Sequence, residues 1–154
     1  MNQKTKSFEI KRRDASDLVL FKSLVDLFNT VFEEDSLHIG NDANLSGLLG
    51  NLQFIALVAL AENEVAGGLT AYELPLYYTE HAEVFLYDLA VKPEYQRMGI
   101  GKKLIRSLKQ QCLRNGIKEF FVLAHEEDEH AIEFYRSTGG KSERVVNFLY
   151  ETSE

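Results

Sequence analysis

A short glycine-containing segment, Gln96 to Gly101, has the residue types and the position of an anion-binding loop. Its residues are Gln-Arg-Met-Gly-Ile-Gly; it follows the strand-like run Glu83 to Val91 and directly precedes the helical pattern Lys102 to Asn115. Because glycines lack a Cβ, backbone N–H groups can turn inward, and the first turn of the helix adds unpaired N–H groups and a positive dipole end. A diphosphate fits such a set of donors. The pattern therefore predicts a pyrophosphate-binding loop.

The spacing of this loop excludes two common phosphate-binding motifs. A Walker loop requires a glycine five residues before Gly101, where this chain has Gln96, and it requires Ser or Thr where the chain has Lys103. The dinucleotide fingerprint requires a third glycine at the position of Leu104. The segment matches instead the pattern Gln/Arg-x-x-Gly-x-Gly/Ala.

Asp88 is a carboxylate inside an apolar run, where period-two alternation predicts that it shares a face with Leu86 and Ala90. An ionised carboxylate in such a strand requires hydrogen-bond donors or a cation, or else its pKa rises. Both conditions are common where acids and bases work. Asp88 is therefore a candidate to accept a proton from an ammonium group or to anchor that group, and the same pattern also fits a structural acid bound to backbone.

Two other residues have simpler explanations when they are taken alone. Tyr135 lies beside Phe134 in a short helical pattern, which by itself favours packing. Cys112 is the single cysteine and falls on the apolar stripe of the helix after the loop, so we predict that it belongs to the core.

The four histidines predict no metal site. His125-Glu126 begins a zincin-like string, but the fifth position of that string is Glu129 rather than histidine. The interpretation is that all four are exposed loop residues: His38, His81, His125 and His130.

The composition predicts one acidic globular domain. The chain has 154 residues, of which 45% are apolar, and a formal net charge of −7. This charge argues against nucleic-acid binding, since contacts to phosphates need clustered Lys and Arg. The acidic runs Glu33-Glu34-Asp35 and Glu126-Glu127-Asp128-Glu129 could steer a cationic substrate, and a solvated face that aids solubility explains them equally well. The longest apolar stretch, Phe54 to Ala61, is too short to span a membrane, so a soluble cytoplasmic protein is expected.

Hydrophobic periodicity predicts the element order βααβββαβαβ, which is a mixed α/β or α+β sandwich. The predicted strands are Ser7 to Lys11, Phe54 to Ala61, Val65 to Leu74, Ala82 to Val91, Lys118 to Ala124 and Arg144 to Tyr150. The predicted helices are one opened by Asp14 with the stripe Leu18, Phe21, Val25, Phe28 and Phe32, one from Asp42 to Leu49, one ending at Gly116, and one from Asp128 to Gly139.

The loop pattern and the segment Ala131 to Gly139 resemble the GNAT acetyltransferase superfamily. The resemblance implies a single GNAT domain over residues 1–154 and acetyl-coenzyme A as co-substrate, with no metal. It implies that Tyr135 protonates the departing thiolate, and that a bulged, splayed strand at Leu89 to Val91 offers a free N–H to the thioester carbonyl. The residues implied to bind acetyl-coenzyme A are Leu89, Ala90, Val91, Gln96, Arg97, Met98, Gly99, Ile100, Gly101, Lys102, Ala131, Phe134 and Tyr135.

A closer resemblance is carried by Gly68-x-x-Ala71-Tyr72-x-Leu74-Pro75 and Tyr87-Asp88-Leu89-Ala90-Val91. These runs are similar to the aminoglycoside 3-N-acetyltransferases that act on gentamicin and fortimicin, in which the matching aspartate is the catalytic or amine-binding acid. The implied substrate-binding residues are Asp88, Glu83, Glu126, Glu127 and Asp128. Two positions depart from that family, because His125 replaces an aspartate and Leu149 replaces the aspartate of a His-Phe-Asp pattern.

The resemblance predicts direct transfer: a primary amine, deprotonated with help from Asp88 or a water, attacks the thioester, and Tyr135 protonates the thiolate. One alternative keeps the chemistry and changes the acceptor to a polyamine, another antibiotic or a protein amine. Another is a coenzyme A-binding module without catalysis. Relatives are often dimers, so a homodimer is possible, and no nucleic-acid or membrane partner is expected.

Overall fold

The computed structural model describes residues 7–33 and 39–153 of the chain. Of these residues, those up to Leu123 form one compact unit, and those from Ala124 to Ser153 form a second, smaller one. Among the described residues no helix is long and apolar enough to cross a membrane.

The larger unit is built around a five-stranded sheet whose strands lie side by side in chain order. Strands β1 to β4 pair antiparallel with their neighbours, and β5 runs parallel to β4. The predicted α/β class with a mixed, mostly antiparallel sheet is confirmed. The strands are β1 Phe8–Arg12, β2 Phe54–Ala61, β3 Glu64–Pro75, β4 Ala82–Val91 and β5 Phe120–Val122.

The first 3-10 turn and two of the helices described below begin at a residue whose side chain accepts a backbone N–H group: Asp14, Asn41 and Asp128. Asp14 accepts from the N–H of Ser16 at 2.8 Å and opens a 3-10 turn, Ala15–Asp17, that leads into the first helix. Hydrogen bonds from the hydroxyl and then the N–H of Ser16 hold the pKa of Asp14 below its ordinary value. The helices are α1 Leu18–Val31, α2 Asp42–Gly50, α3 Ile100–Arg114 and α4 Glu129–Ser137.

The two faces of the sheet are covered by different helices, as the alternation along β2 shows. Phe54, Ala56 and Val58 belong to a core cluster with residues of α1 and α2. Ile55 and Leu57 are equally buried and point to the opposite face, against which α3 packs. A strand buried on both faces explains why Phe54–Ala61 is a continuous apolar run.

The buried stripe of α1 is broader than predicted. Phe21 and Phe28 are buried as expected, and Leu24 and Leu27 are buried with them. Phe32 was expected on the stripe, but it lies beyond the last residue of the helix and is 43% exposed. The close contact of α1 with the sheet depends on Gly68, since a Cβ at that position would lie 2.5 Å from a methyl group of Leu24.

Two strand predictions at the C-terminal end require correction. The predicted strand Arg144 to Tyr150 is not a strand in the structure, although its residues have high β-propensity. The predicted strand Lys118 to Ala124 is reduced to β5, Phe120–Val122. The spacing of apolar residues indicates that a segment can fit into a sheet. A strand forms only if a neighbouring strand also supplies hydrogen bonds.

Candidate active site

The predicted anion-binding loop connects β4 to α3 through a 3-10 turn, Pro93–Tyr95. The side-chain amide of Gln96 donates to the carbonyl of Val91 at 3.0 Å, which ties the loop to the end of β4. Arg97 has a φ of +63° and Gly99 a φ of +83°, so the backbone turns through the left-handed region at both positions. A non-glycine residue at this φ is held there by its surroundings, and such positions are frequent at binding sites.

Helix α3 begins directly after Gly99, whose lack of a side chain leaves the end of the helix uncapped by its own N-cap residue. The N–H of Lys103 donates to the carbonyl of Gly99 at 3.0 Å, as the first hydrogen bond of the helix. The N–H groups of Ile100, Gly101 and Lys102 precede that bond, so helix geometry gives them no acceptor within the helix. Ile100 is buried and anchors this turn.

The side chains around the loop are exposed, apart from the anchors beneath it. Exposed side chains belong to Gln96, Arg97, Met98 and Lys102. Lys103 is not available to the loop, because its ammonium donates to the carbonyl of Phe8 at 3.2 Å and lies 4.6 Å from the centre of that ring. The loop thus leads into a helix start with unpaired main-chain donors, and it carries two exposed cations, Arg97 and Lys102.

The position of Asp88 is set by a bulge in β4. Thr70 of β3 lies opposite Asp88, and the next residue, Ala71, lies opposite Leu86, so Tyr87 is an extra residue in β4. Opposed residues in a sheet point to the same face. Asp88 therefore shares the face of Thr70 and Ala90, which packs on α1, whereas Leu86 faces α3. The prediction that Asp88 shares a face with Ala90 is right, and the prediction that it also shares one with Leu86 is wrong because of the bulge.

The strand β4 separates from β5 just at this bulge. β5 pairs only with Val84, Phe85 and Leu86 of β4, and in the described ranges no strand pairs with this edge of β4 from Tyr87 to Val91. On the other edge, Leu89, Ala90 and Val91 pair regularly with β3. The bulge was expected at these three residues and lies just before them.

The smaller unit carries the remaining candidate residues on α4 and the turn before it. Ala131, Phe134 and Tyr135 are half-buried, with the rings of Phe134 and Tyr135 5.1 Å apart. Glu126 and Glu127 are exposed. Asp128 was predicted to contact substrate, and its carboxylate accepts from the N–H of Ala131 at 3.0 Å as the N-cap of α4.

A match to a family model now decides the classification. The model of the acetyltransferase (GNAT) family matches residues 21–139, which include the bulge, the loop and α4. The chain belongs to the GNAT acetyltransferase family. Members of this family transfer an acetyl group from acetyl-coenzyme A.

Curated GNAT relatives match over shorter segments. The chain is 31% identical over 58 residues to thialysine N-epsilon-acetyltransferase of Sus scrofa, covering 38% of this chain and 34% of that protein. It is 28% identical over 72 residues to the [ribosomal protein bS18]-alanine N-acetyltransferase of Escherichia coli strain K12, covering 47% and 49%. The chain therefore spans between a third and a half of the length of these relatives.

Solved GNAT structures match along almost the whole chain. An aminoglycoside acetyltransferase from an uncultured soil metagenomic sample, in complex with trehalose, is 42% identical with a TM-score of 0.92, covering 95% of this chain and 97% of that chain. A structure of this acetyltransferase with sisomicin aligns equally well, at 41% identity. A second soil acetyltransferase for aminoglycosides is 34% identical with a TM-score of 0.90, covering 96% and 99%.

The loop of this GNAT chain fits the diphosphate of acetyl-coenzyme A. The donors are main-chain N–H groups at a helix N-terminus, the left-handed turn at Gly99 exposes them, and Arg97 and Lys102 add positive charge without filling the turn. A Cβ at Gly99 would meet no atom within 4 Å, so the conformation rather than crowding favours glycine there.

No group of three potential metal ligands occurs in residues 7–33 and 39–153, and His38 lies outside those ranges. His81, His125 and His130 are exposed, as predicted, but His130 lies in α4 and not in a loop. Cys112 lies on the buried face of α3 and is 4% exposed, also as predicted. Sequence reasoning missed the aromatic residues that surround Asp88, although the alternation of Phe85 and Tyr87 in β4 signals that they share a face.

Proposed function

We propose that this protein is an acetyl-coenzyme A-dependent N-acetyltransferase that acetylates a primary amine of an aminoglycoside, at the 3-N position. The observation that carries the proposal is the similarity along nearly the whole chain to soil aminoglycoside acetyltransferases, one of them in complex with sisomicin. The Tyr-Asp-Leu-Ala-Val run around the bulge supports the 3-N position, because it resembles enzymes of that type.

In this proposal the loop and the start of α3 hold the diphosphate of the donor. Main-chain N–H groups from Arg97 to Lys102 donate hydrogen bonds to its phosphate oxygens, and Leu89 to Val91 lie beside the thioester, where a backbone N–H polarises the carbonyl. The resemblance to the GNAT family supports Ala131 and Phe134 as further residues that bind the donor. Acetyl-coenzyme A supplies the acetyl group as an activated thioester.

Asp88 and Tyr135 move the protons. Asp88 takes a proton from the acceptor ammonium, directly or through a water, because an amine attacks only when neutral. Neighbouring positive charges on a polyamine already lower the pKa of each amine, so a weak base suffices. Tyr135 gives a proton to the leaving thiolate. The acetyl group passes directly to nitrogen, without a covalent enzyme intermediate.

The acidic surface supports a cationic acceptor. With a formal net charge of −7, the protein attracts polycations at long range. In this proposal the carboxylates of Glu83, Glu126 and Glu127 also contact the ammonium groups of the bound amine substrate. Asp128 contributes its charge while it caps α4.

Thiol release with a panel of amines tests the proposal. The panel contains aminoglycosides, linear polyamines and a peptide with a free amino terminus, and the acetylated position of each product is determined by NMR. We expect release with aminoglycosides and acetylation of the 3-amino group. Preference for a polyamine or peptide would move the assignment to another amine, and donor binding without any release would identify a non-catalytic coenzyme A-binding module.

We further propose that the enzyme acts in the cytoplasm as a homodimer, and that it confers aminoglycoside resistance. The homodimer is supported by the segment Arg144 to Tyr150, where five large apolar side chains are between 69% and 85% exposed: Val145, Val146, Phe148, Leu149 and Tyr150. An apolar run of this exposure is typical of a surface that a partner covers. Light scattering should give the mass of two chains for the wild type and of one chain for Phe148→Glu, and a monomeric wild type would contradict the dimer.

A further inference from the structure

Aromatic residues on one face of the sheet form a continuous row across the strands, and the row passes beside the bulge in β4. Phe54, Tyr72, Phe85 and Phe121 lie opposite one another on β2 to β5. The centroid distances are 5.2 Å from Phe54 to Tyr72 and 4.9 Å from Phe85 to Phe121, the latter two rings being stacked. Tyr87 bridges the row, with its centroid 5.7 Å from Tyr72 and 5.5 Å from Phe85.

The row passes from the core to the surface. Phe54 is 3% exposed under α1, Tyr72 and Phe85 are half-buried, and Tyr87 is 58% exposed. Tyr87 meets both of its aromatic neighbours edge-on, with interplanar angles of 79° to Tyr72 and 71° to Phe85. Because two rings fix the orientation of Tyr87, its exposed surface is ordered before any ligand arrives.

Two carboxylates flank the exposed rings on the same face. Glu83 precedes Phe85 and Tyr87 by two and four residues, so strand alternation places it on their face. The bulge places Asp88 there as well. Burial raises the pKa of Tyr72, and the nearby Tyr87 and Asp88 raise it further, which shows that the charge of Asp88 acts on this row. From Glu83 to Asp88 the backbone spans about 16 Å at roughly 3.3 Å per residue.

Aromatic faces between two anions recognise a particular chemistry. Ring C–H groups stack on aromatic side chains, ammonium groups are attracted to both the ring faces and the carboxylates, and hydroxyl groups remain in water. A neutral sugar would not use the carboxylates. A linear polyamine has no saturated ring to stack on the aromatic side chains, so it gains only the attraction between its ammonium groups and the ring faces.

We propose that Glu83, Phe85, Tyr87 and Asp88 form an acceptor-binding surface along β4 for cyclic polyamines, with a saturated ring on Tyr87 and ammonium groups near each carboxylate. This rests on the proposed function and adds two residues to it, Phe85 and Tyr87, as determinants of acceptor specificity. The bulge is what makes the surface, since it brings Tyr87 and Asp88 to one face.

Calorimetric titration with sisomicin, with and without coenzyme A, tests this surface. Tyr87→Ala should weaken sisomicin binding about 10-fold, the size expected for loss of one stacked ring contact, and Tyr87→Phe should stay within about 2-fold. Tyr77→Ala is the matched control, because Tyr77 is 99% exposed on the loop between β3 and β4 and should leave affinity unchanged.

Spermidine separates stacking from charge. Tyr87→Ala should weaken spermidine binding less than about 3-fold, because a linear polyamine has no saturated ring to stack on Tyr87 and loses only a weak ammonium–ring contact. Glu83→Gln should weaken the binding of both ligands. Equal sisomicin binding by wild type and Tyr87→Ala, equal losses for sisomicin and spermidine, or no sisomicin binding by wild type would each overturn the proposal. Binding does not require turnover. If the protein binds sisomicin through Tyr87 but releases no thiol, the binding surface proposed here is supported and the proposed acetyltransferase activity is contradicted.

Discussion

At the scale of single residues, the inserted Tyr87 decides what Asp88 can do. If β4 continued through Tyr87 without a bulge, Asp88 would share the face of Leu86 and point toward α3; with the bulge, the carboxylate lies on the face of Thr70. The β-propensities of the residues in this run do not mark which of them is bulged. The sequence therefore identifies Asp88 as a candidate acid but does not predict which residues share its face.

Replacing Asp88 by Asn tests its role as a base. The amide keeps the shape and cannot accept the ammonium proton, so kcat should fall about 100-fold, the lower part of the range for general base catalysis. Circular dichroism should be unchanged, and Glu9→Gln, at an exposed residue of β1, should have wild-type rates. A wild-type kcat in Asp88→Asn would remove this role.

Tyr135→Phe removes one oxygen from α4 and tests the proposed acid. Without the phenol the thiolate leaves unprotonated, and kcat should fall about 100-fold while the Kd for coenzyme A stays within about 2-fold. Tyr77→Phe provides the control, and equal kcat values in the two variants would contradict the assignment.

The thiol of Cys112 should not react measurably with the thiol reagent used in the thiol-release assay. Burial raises the pKa of its thiol, and the negative charge of Glu73 raises it further, so the reactive thiolate is scarce at neutral pH. Ellman's reagent should label fewer than about one native chain in ten during an assay and every chain after denaturation. Labelling should speed up as the pH rises, since more thiolate forms. Rapid labelling of the native protein would contradict the buried position.

At the scale of elements, the turn into α3 is the part on which donor binding depends. Gly99→Ala introduces a Cβ at a φ of +83°, which costs about 1–2 kcal/mol, and relaxation of the turn misdirects the N–H groups after it. We expect a lower melting temperature and a Kd for coenzyme A raised about 10-fold.

Gly47→Ala in α2 is the matched control for this change. Its Cβ also meets no atom within 4 Å, and Gly47 lies within the helix without a positive φ, so the free energy of unfolding should increase by about 0.4–1 kcal/mol. Coenzyme A affinity should be that of wild type. Equal affinities in Gly99→Ala and Gly47→Ala would show that the turn does not hold the donor.

Most elements could be predicted from the sequence because their signals are local. Asp14, Asn41 and Asp128 accept N–H groups at the starts of helical segments, and the apolar run of β2 is continuous because both of its faces are buried. The segment Arg144 to Tyr150 has an equally clear local pattern and forms no strand, since pairing depends on a neighbour that local residues do not encode. Local residues do not encode the position of the bulge either: the resemblance implied it at Leu89 to Val91, and it lies at Tyr87.

At the scale of the whole molecule, the net charge of −7 favours encounters with cations. Raising the salt concentration from 0.1 M to 1 M shortens the screening length from about 10 Å to about 3 Å. The kcat/KM for an aminoglycoside should therefore fall about 10-fold, with kcat nearly constant. Glu126→Gln with Glu127→Gln should reduce this salt dependence, and Glu151→Gln should not. A kcat/KM independent of salt would contradict electrostatic steering.

The most direct test of the account is the product formed from acetyl-coenzyme A and sisomicin by the purified wild-type protein. We expect one equivalent of free thiol per acetylated sisomicin, and we expect NMR to place the acetyl group on the 3-amino nitrogen. Thiol release without an acetylated amine, or no reaction with any amine although coenzyme A binds, would contradict the claim that this protein transfers acetyl groups to cationic amines.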